Sequence, residues 1–552
     1  MKNINGTPVD VESLKSLVGG GLGGLDGHAP MDAIKTARSG SRAENLGSAH
    51  LLPETVVRPR RGSALRQVLM SIIANLGTIN TGMAFGFSAV VIPQLVRADS
   101  DIQVDEDQAS WIASLSSAST PVGCILTGWL MDAIGRRRAL LLTEVPLALG
   151  WMLIALAPAN HGLYFIYAGR LLVGLGSGMV GAPARVYTGE VTQPHLRGTL
   201  SAFASVGVSL GVLLEYAVGS CVTWRVLAGL SAAVPSLALL LTLLTPESPA
   251  WLVSRGRHQE ARAALLRVRG EVCDVQQELD AMRDFAERNN VVKLGWRDTF
   301  RELVKPSAMK PFLILVAYFG IYQFSGVNPI TFYAVKVFKE SGASIDQYLA
   351  TILMGVVRLM FTVAGCVALR RCGRRPLTLT SSIGCGLSML GLGSYMMAWE
   401  FWTAEGATRT ATWIPVACIF AYTAFCTTGF LIVPWVMIGE VYPSNVRGLV
   451  GGLTTCAAHM FVFLVVKSFP LMQKLMGHSG TFLFYGVVSI AGTAFFWALL
   501  PETKGRSLQE IEDYFSGRTE TLKPKKNKME EVAPGRGAHQ HILIAPKGQA
   551  LP

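Results

Sequence analysis

The feature that most constrains this chain is the recurrence of apolar runs about 20 residues long, separated by short polar turns. A run of that length, wound as α-helix, crosses the ~30 Å hydrocarbon layer of a bilayer. Inside that layer every backbone N–H and C=O must find a partner within the protein, which favours helices. Twelve intervals read as spans, near 68–90, 111–131, 139–158, 163–183, 198–220, 224–245, 309–333, 348–369, 376–398, 411–435, 447–467 and 480–500. Only 16% of the residues are charged, against roughly 25% in a soluble domain. The expected fold class is an all-α polytopic membrane protein with twelve transmembrane helices.

The gap 246–308 is polar and helix-prone, and it divides the spans six and six. The expected organisation is a disordered N-terminal region (1–66), a first bundle (67–245), a helical linker (246–308), a second bundle (309–500) and a tail (501–552). The net charge of +12 is unevenly spread. PRRG (59–62), GRRR (135–138), the linker, LRRCGRR (369–375) and LKPKKNK (522–528) all fall on the side of the N-terminus, whereas VRADSDIQVDEDQ (96–108) falls on the other. The Lys/Arg bias therefore places both termini, the linker and the tail in the cytoplasm. It accounts for the positive charge as topology, so no nucleic-acid partner is read into it. The nine cysteines form no CxxC pair and read as small buried hydrophobes. The one N-x-S/T sequon, Asn5-Gly6-Thr7, falls on the cytoplasmic side, and the first 60 residues hold no signal-peptide run.

Three patterns occur once in each half of the chain. GWLMDAIGRRR (128–138) is answered by VALRRCGRRP (367–376), TGEVTQPHLRG (188–198) by IGEVYPSNVRG (438–448), and PESPAWLVSRGR (246–257) by PETKGRS (501–507), at offsets of 238, 250 and 255 residues. Repeats at half-chain separation with equal span counts indicate two homologous six-helix bundles, an arrangement suited to alternating access around a site near the midplane. Asp132, Arg136, Glu190 and Arg197 in the first half, with Arg374, Glu440 and Arg447 in the second, are placed to form a cytoplasmic charge network. The expectation is a gate that holds the halves together when the cavity faces outward and breaks when it faces inward. The plainer alternative is topology anchoring by the bases, which leaves the repeated acids unexplained.

GRR after spans two and eight, GRLLVGLGSG (169–178), the two GEV…RG segments, PESPAWL and PETKGR together resemble the sugar porter family of the major facilitator superfamily, over roughly residues 68–510. GTINTGMAFGFSAVVIPQL (77–95) and VVRLM (356–360) are similar to insect facilitated trehalose transporters and mammalian facilitative glucose transporters. The resemblance implies the twelve-helix major facilitator fold and movement of a sugar without ATP. GLGSG within span four lacks a preceding strand and reads as close helix packing rather than a dinucleotide loop. No GxxxxGK[ST] occurs in the chain, and no cofactor or enzymatic activity is expected.

A sugar site needs directed donors and acceptors with an aromatic face against the C–H side of the ring, and polar groups at membrane depth are candidates for it. YFGIYQFSGVNPITFY (318–333) in span seven offers Tyr322, Gln323, Ser325 and Asn328, with Gly326 and Pro329 able to break the helix. The alternative for this cluster is an inter-helix hydrogen-bond network without a ligand. The resemblance implies that Gln323, Asn328 and Trp435 match sugar ligands, although FLIV (430–433) precedes Pro434-Trp435 where the family carries a Gly/Pro hinge. Ser205, Arg358 and Ala458-His459 replace a glutamine, an asparagine and an Asn-Trp pair of the family, and Tyr322 replaces a first glutamine. Ser88 replaces the aspartate of proton-coupled relatives, which implies uncoupled transport. His459 is a possible ligand or a bond between helices, and it is also able to titrate near neutral pH.

Arg358 lies near the middle of span eight, about 15 Å of helix rise from either end. In the resembled fold spans five and eight are neighbours, and Glu215 in SLGVLLEYAVG (209–219) lies at an axial offset of about 7 Å. Two expectations follow: an Arg358–Glu215 ion pair or water-bridged contact that biases one state of the carrier, or a guanidinium that grips the solute. The leading functional expectation is a facilitative carrier of trehalose or a hexose, functional as a monomer in the plasma membrane, its partners being that solute and the lipid bilayer. A carrier of another organic solute or anion using Arg358, and a sugar sensor built on a carrier fold, are the alternatives.

Overall fold

The computed structural model describes residues 63–519 apart from 271–273, 289–295, 405–410 and 444. The N-terminal region expected over 1–66 lies almost wholly outside the described residues, as does the end of the tail. Among the described residues all regular structure is helical. The first half of the chain folds into α1 (Ala64–Leu95), α2 (Glu106–Ile134), α3 (Arg136–Ala155), α4 (Gly162–Val191), the short α5 (Pro194–Leu200) leading into α6 (Phe203–Gly219), and α7 (Trp224–Leu243). The linker carries α8 (Pro249–Ser254), α9 (His258–Arg269), α10 (Val275–Arg288) and α11 (Trp296–Val304). The second half folds into α12 (Pro306–Gln323), α13 (Val327–Phe332), α14 (Ala334–Glu340), α15 (Gln347–Arg371), α16 (Arg374–Ala404), α17 (Ile414–Phe425), a π-helical turn (Cys426–Phe430), α18 (Val433–Val441) and α19 (Arg447–Leu499), and α20 (Leu508–Phe515) follows.

Helix occupies each of the twelve intervals expected from the sequence. Among the described residues nine helical stretches are long and apolar enough to cross a membrane. The longest, Arg447–Leu499, turns at Gly477, whose φ of 74° is non-helical, so its 53 residues form two arms. Helix ends carry their own signals. Asp105 and Gln108 form a capping box at the start of α2, and Asp346 accepts the Tyr348 and Leu349 N–H groups at the start of α15. Arg370 and Arg371 in the last turn of α15 oppose the negative end of its dipole.

In the first half α1 packs on α6 and α4, α2 on α4, and α3 on α4 and α7, whereas in the second half α16 packs on α19 and α17, and α12 on α19. Between the halves α19 meets α2 and α15 meets α6. Small residues set the close approaches. A Cβ on Gly176 of the GLGSG run would lie 2.5 Å from Leu147 Cγ, and one on Gly150 would lie 2.7 Å from the Gly169 carbonyl. Gly176 of the run therefore closes α4 on α3, while Gly174 and Gly178 close it on Ser116 and Thr120 of α2, as expected of small residues in membrane helices. The linker has its own apolar cluster of Trp251, Leu252, Val253, Ala261, Ala264, Leu265, Val275 and Leu279. It is tied to the bundle by Arg269, which is buried, pairs with Glu278 at 2.7 Å and donates to the Val191 carbonyl at the end of α4.

Candidate functional site

The repeated motifs build the same structure twice on one face of the protein. At the start of α3 the backbone N–H groups of Arg136 and Arg137 both donate to Glu247 at 2.9 Å. At the start of α16 those of Arg374 and Arg375 donate to Glu502 at 3.0 and 3.1 Å. Each carboxylate caps a helix whose first N–H groups have no intrahelical partner, at the positive end of the dipole. The guanidiniums then reach the GEV glutamates: Arg136 lies 3.1 Å from Glu190, and Arg374 lies 2.6 Å from Glu440. Ser248 and Thr503 complete the pattern by donating to Glu190 and Glu440 at 2.5 and 2.6 Å. Arg197 and Arg447 each turn back to a carbonyl five residues earlier, on Thr192 and Tyr442. Asp132 is exposed and 3.6 Å from Arg136.

In this conformation the ion pairs of these motifs stay within their halves. Arg136–Glu190 joins two helices of the first half, and Arg374–Glu440 joins two helices of the second. The sequence reading also omitted Glu247, Glu502, Ser248 and Thr503, although PES and PET repeat at the same 255-residue offset. Among the described residues two ion pairs cross between the halves, and they lie on the opposite face. There Lys467 of α19 meets Asp107 of α2 at 2.6 Å and sits 4.2 Å over the Trp111 ring, and Lys336 of α14 meets Glu106 at 3.5 Å.

Span seven breaks where Gly and Pro predict. Gly326 has φ 95°, in the left-handed region that glycine tolerates, and a Cβ there would lie 2.6 Å from the Tyr485 ring. The break frees carbonyls that are taken up locally: Ser325 Oγ donates to Tyr322 O at 2.7 Å, and the Tyr422 hydroxyl donates to Ser325 O at 3.1 Å. Across the break the Asn328 amide donates to Gln323 Oε1. Gln323, Asn328, Ser325 and Tyr322 are all buried, and the Tyr322 ring stands edge-on to Phe430 at 6.0 Å. Ser205 is half-buried near the start of α6.

Span ten is interrupted despite the absence of the family's Gly/Pro hinge. Leu431 N donates to Cys426 O in a π-helical turn, and α18 restarts with Pro434, which has no N–H to offer. The restart carries Trp435, which packs 4.9 Å from Phe319 and 5.9 Å from His459. The His459 ring nitrogen Nδ1 lies 2.9 Å from the Thr455 carbonyl. Phe319 lies one helical turn before Gln323 on the same face of α12, so Trp435, His459 and Gln323 share one region. Arg185 of α4 also reaches this region, its guanidinium 5.6 Å from the centre of the Trp435 indole. Sequence reasoning missed Arg185, yet the signal was available: Arg185 and Trp435 stand 250 residues apart, the offset that relates Glu190 to Glu440.

Arg358 lies at the seam between the halves. Its Nη1 donates to Thr331 Oγ1 at 3.1 Å, while Nε has no hydrogen-bond partner. The Tyr216 hydroxyl donates to the Thr331 carbonyl at 2.6 Å, and Ser209 and Thr362 hydroxyls lie 2.8 Å apart across α6 and α15. In this conformation the expected Arg358–Glu215 pair is not formed. Glu215 instead accepts from Ser231 of α7 at 2.6 Å, and its Oε2 has no partner. The reason is the rotation of α6. Leu213 and Tyr216 face Gly355 of α15, whereas Glu215 faces Gly86 of α1, about 100° away around the helix.

The residues 70–515 match the sugar (and other) transporter family. The chain is 34% identical over 467 residues to a facilitated trehalose transporter homolog of Drosophila sechellia, covering 83% of this chain and 94% of that protein. It is 33% identical to the facilitated trehalose transporter of Bombyx mori, covering 81% and 86%. Among solved structures it is similar to the Escherichia coli xylose transporter XylE in a partially occluded inward-open conformation, with a TM-score of 0.66, 22% identity, and coverage of 80% of this chain and 100% of that one. Together with the paired motif clamps and the broken seventh and tenth spans, these likenesses show that the chain belongs to the sugar porter family of the major facilitator superfamily.

Proposed function

We propose that the protein is a facilitative sugar carrier that works by alternating access between two six-helix bundles, 67–245 and 309–500, joined by the cytoplasmic linker 246–308. Twelve crossings follow when α2, the α12–α14 segment and the two arms of α19 are counted with the other long helices. The observation that carries the reading is the unequal placement of charges. Lys467–Asp107 and Lys336–Glu106 join the halves on one face, whereas Arg136–Glu190 and Arg374–Glu440 stay within their halves on the other. Two stiff bodies pinned at one face and separable at the other form a carrier facing inward, with the motif face cytoplasmic, both termini on that side, and the plasma membrane as its location. The gate role of the motif residues is then to keep each body rigid while it rocks.

Trehalose or a hexose is the proposed solute, from the likeness to trehalose transporters. Gln323, Asn328 and Ser325 supply hydrogen bonds, Trp435 the flat apolar face, and Tyr322, Ser205 and His459 complete the wall. Uncoupled transport is favoured by the environment of Ser88, whose hydroxyl accepts from Arg170 at 2.9 Å and has no charge to release. Arg358, with an unpartnered Nε, supports the second reading, an anionic organic solute.

Purified protein in liposomes, loaded with unlabelled trehalose or glucose and offered the labelled sugar outside, tests the reading. Saturable exchange that is independent of a pH gradient and falls at least tenfold in Gln323→Ala supports it. Binding without any exchange would favour the sensor.

A further inference from the structure

The space between the halves contains a second cation that the neutral-sugar pattern does not need. Arg185 lies six residues before Val191, about 9 Å inside the end of α4. It is exposed while Ala184 and Tyr187 beside it are buried. Its Nε donates to the Gly181 carbonyl of its own helix at 2.9 Å, and its guanidinium leans on Trp435 of the other half. Neither contact neutralises it. Among the described residues no carboxylate oxygen lies within the 4.0 Å of an ion pair. The groups around it are Trp435, His459 and the thiol of Cys124. Arg136, Arg269 and Arg374, by contrast, each hold a glutamate.

We propose that Arg185 is an anion-binding residue of the transport cavity, and that the solute joins a polyhydroxylated body to a carboxylate or a phosphate. The proposal rests on the alternating-access carrier reading above and replaces its neutral trehalose or hexose with an anionic sugar. An unpaired guanidinium at membrane depth is costly and marks a binding function. Its Nη edge makes no hydrogen bond among the described residues, which leaves the planar fork free for two parallel bonds to one anionic group. The fork already lies over the indole proposed to support the sugar ring. Anion and ring are thereby placed side by side, with Gln323 one turn beyond Phe319, and Asn328 bonded to it across the break, for the hydroxyls. A cation–π contact with Trp435 holds the guanidinium in the empty carrier and is weak enough to yield to an anion.

The experiment is exchange by the full-length protein in liposomes, with labelled glucuronate, glucose 6-phosphate, glucose and trehalose offered separately. The proposal expects one of the two anions to exchange at least tenfold faster than either neutral sugar, which also decides between carboxylate and phosphate. Uncoupled anion movement carries charge, so an interior-negative potential is expected to slow its net uptake severalfold. Arg185→Gln is expected to lose at least tenfold of the anion exchange, with Arg185→Lys retaining an intermediate rate and both variants eluting as folded protein. Neutral sugars exchanging faster than both anions, unaffected by potential and by Arg185→Gln, overturn this proposal and leave the sugar-carrier reading standing. No exchange of any of the four solutes overturns both.

Discussion

Two buried arginines, Arg170 in α4 and Arg358 in α15, make opposite uses of the same side chain. They are 0% and 4% exposed, and neither has a carboxylate within the 4.0 Å of an ion pair among the described residues. Arg170 is nevertheless fully provided for. Nε donates to Ile112 O at 2.8 Å, Nη1 to Ala84 O at 2.9 Å, and Nη2 to the Ser88 and Ser116 hydroxyls at 2.9 and 3.0 Å and to Ala113 O at 3.2 Å. It clamps α1, α2 and α4 into one body. Arg358 makes one side-chain hydrogen bond, to Thr331, and leaves Nε without a partner. It lies where α15 meets α6, at the seam that rearranges in the proposed transport cycle. A cation with every nitrogen bonded holds structure; one with a nitrogen unpartnered at the seam between the halves is available to a solute or to a switch.

The largest expected effect is on Arg170. Arg170→Leu removes five hydrogen bonds that tie α1, α2 and α4 together, a loss of about 3–5 kcal/mol. Thermal unfolding in detergent should show an early or absent transition. Arg358→Leu removes a single neutral-acceptor bond and is expected to shift stability by no more than about 1 kcal/mol while exchange falls at least tenfold. Equal destabilisation by the two substitutions would erase the contrast.

The clamps offer a second comparison, between repeats. Glu247→Gln and Glu502→Gln each weaken charge-assisted caps on a helix start, and each is expected to destabilise by about 1–2 kcal/mol. The two losses should match and should add in the double variant, because the clamps lie in separate bodies. Coupling between them would mean that the clamps communicate across the halves after all.

The smallest effect belongs to the opposite face, in the turn between the two arms of α19. His478 Nδ1 lies 3.2 Å from Glu340, which Gln473 also bonds at 2.9 Å. The hydrogen bond to Glu340 raises the His478 pKa. Burial opposes ionisation of Glu340, but the bonds to His478, Gln473 and Lys336 outweigh it and hold its carboxyl below the usual range. The contribution from His478 is therefore full below its ordinary pKa of about 6.5 and is lost as pH rises through the elevated value. That from Glu340 is lost as pH falls through its depressed value. A shallow maximum in melting temperature is expected between about pH 4.5 and 6.5, and His478→Gln should flatten its alkaline side.

Much of the architecture was legible in the chain. Apolar run length located the helices, and Gly326 with Pro329 located the break in span seven, because both are local properties of the backbone. The site was legible only in part. Gln323 and Asn328 do meet, and Trp435 does meet His459. The break in span ten was not legible, since FLIV before Pro434 carries no hinge signal and the π-helical turn arises from packing around Gly429. Ser381 and the Leu377 carbonyl of α16 crowd that glycine.

By itself the sequence determined a helical membrane protein with two related halves, its family, and which charges recur in both. These rest on composition, run length and repeat offset, which need no knowledge of how one helix is turned against another. Only the tertiary structure decided which charges meet. Glu215 and Tyr216 are adjacent in the chain, yet one faces Gly86 of α1 and the other Gly355 of α15. Each residue turns an α-helix by about 100°, so a partner is fixed by the rotation at which glycines let two helices close. That rotation gave Arg358 a threonine in place of the glutamate, kept the motif charges within their own halves, and brought Arg185 to Trp435.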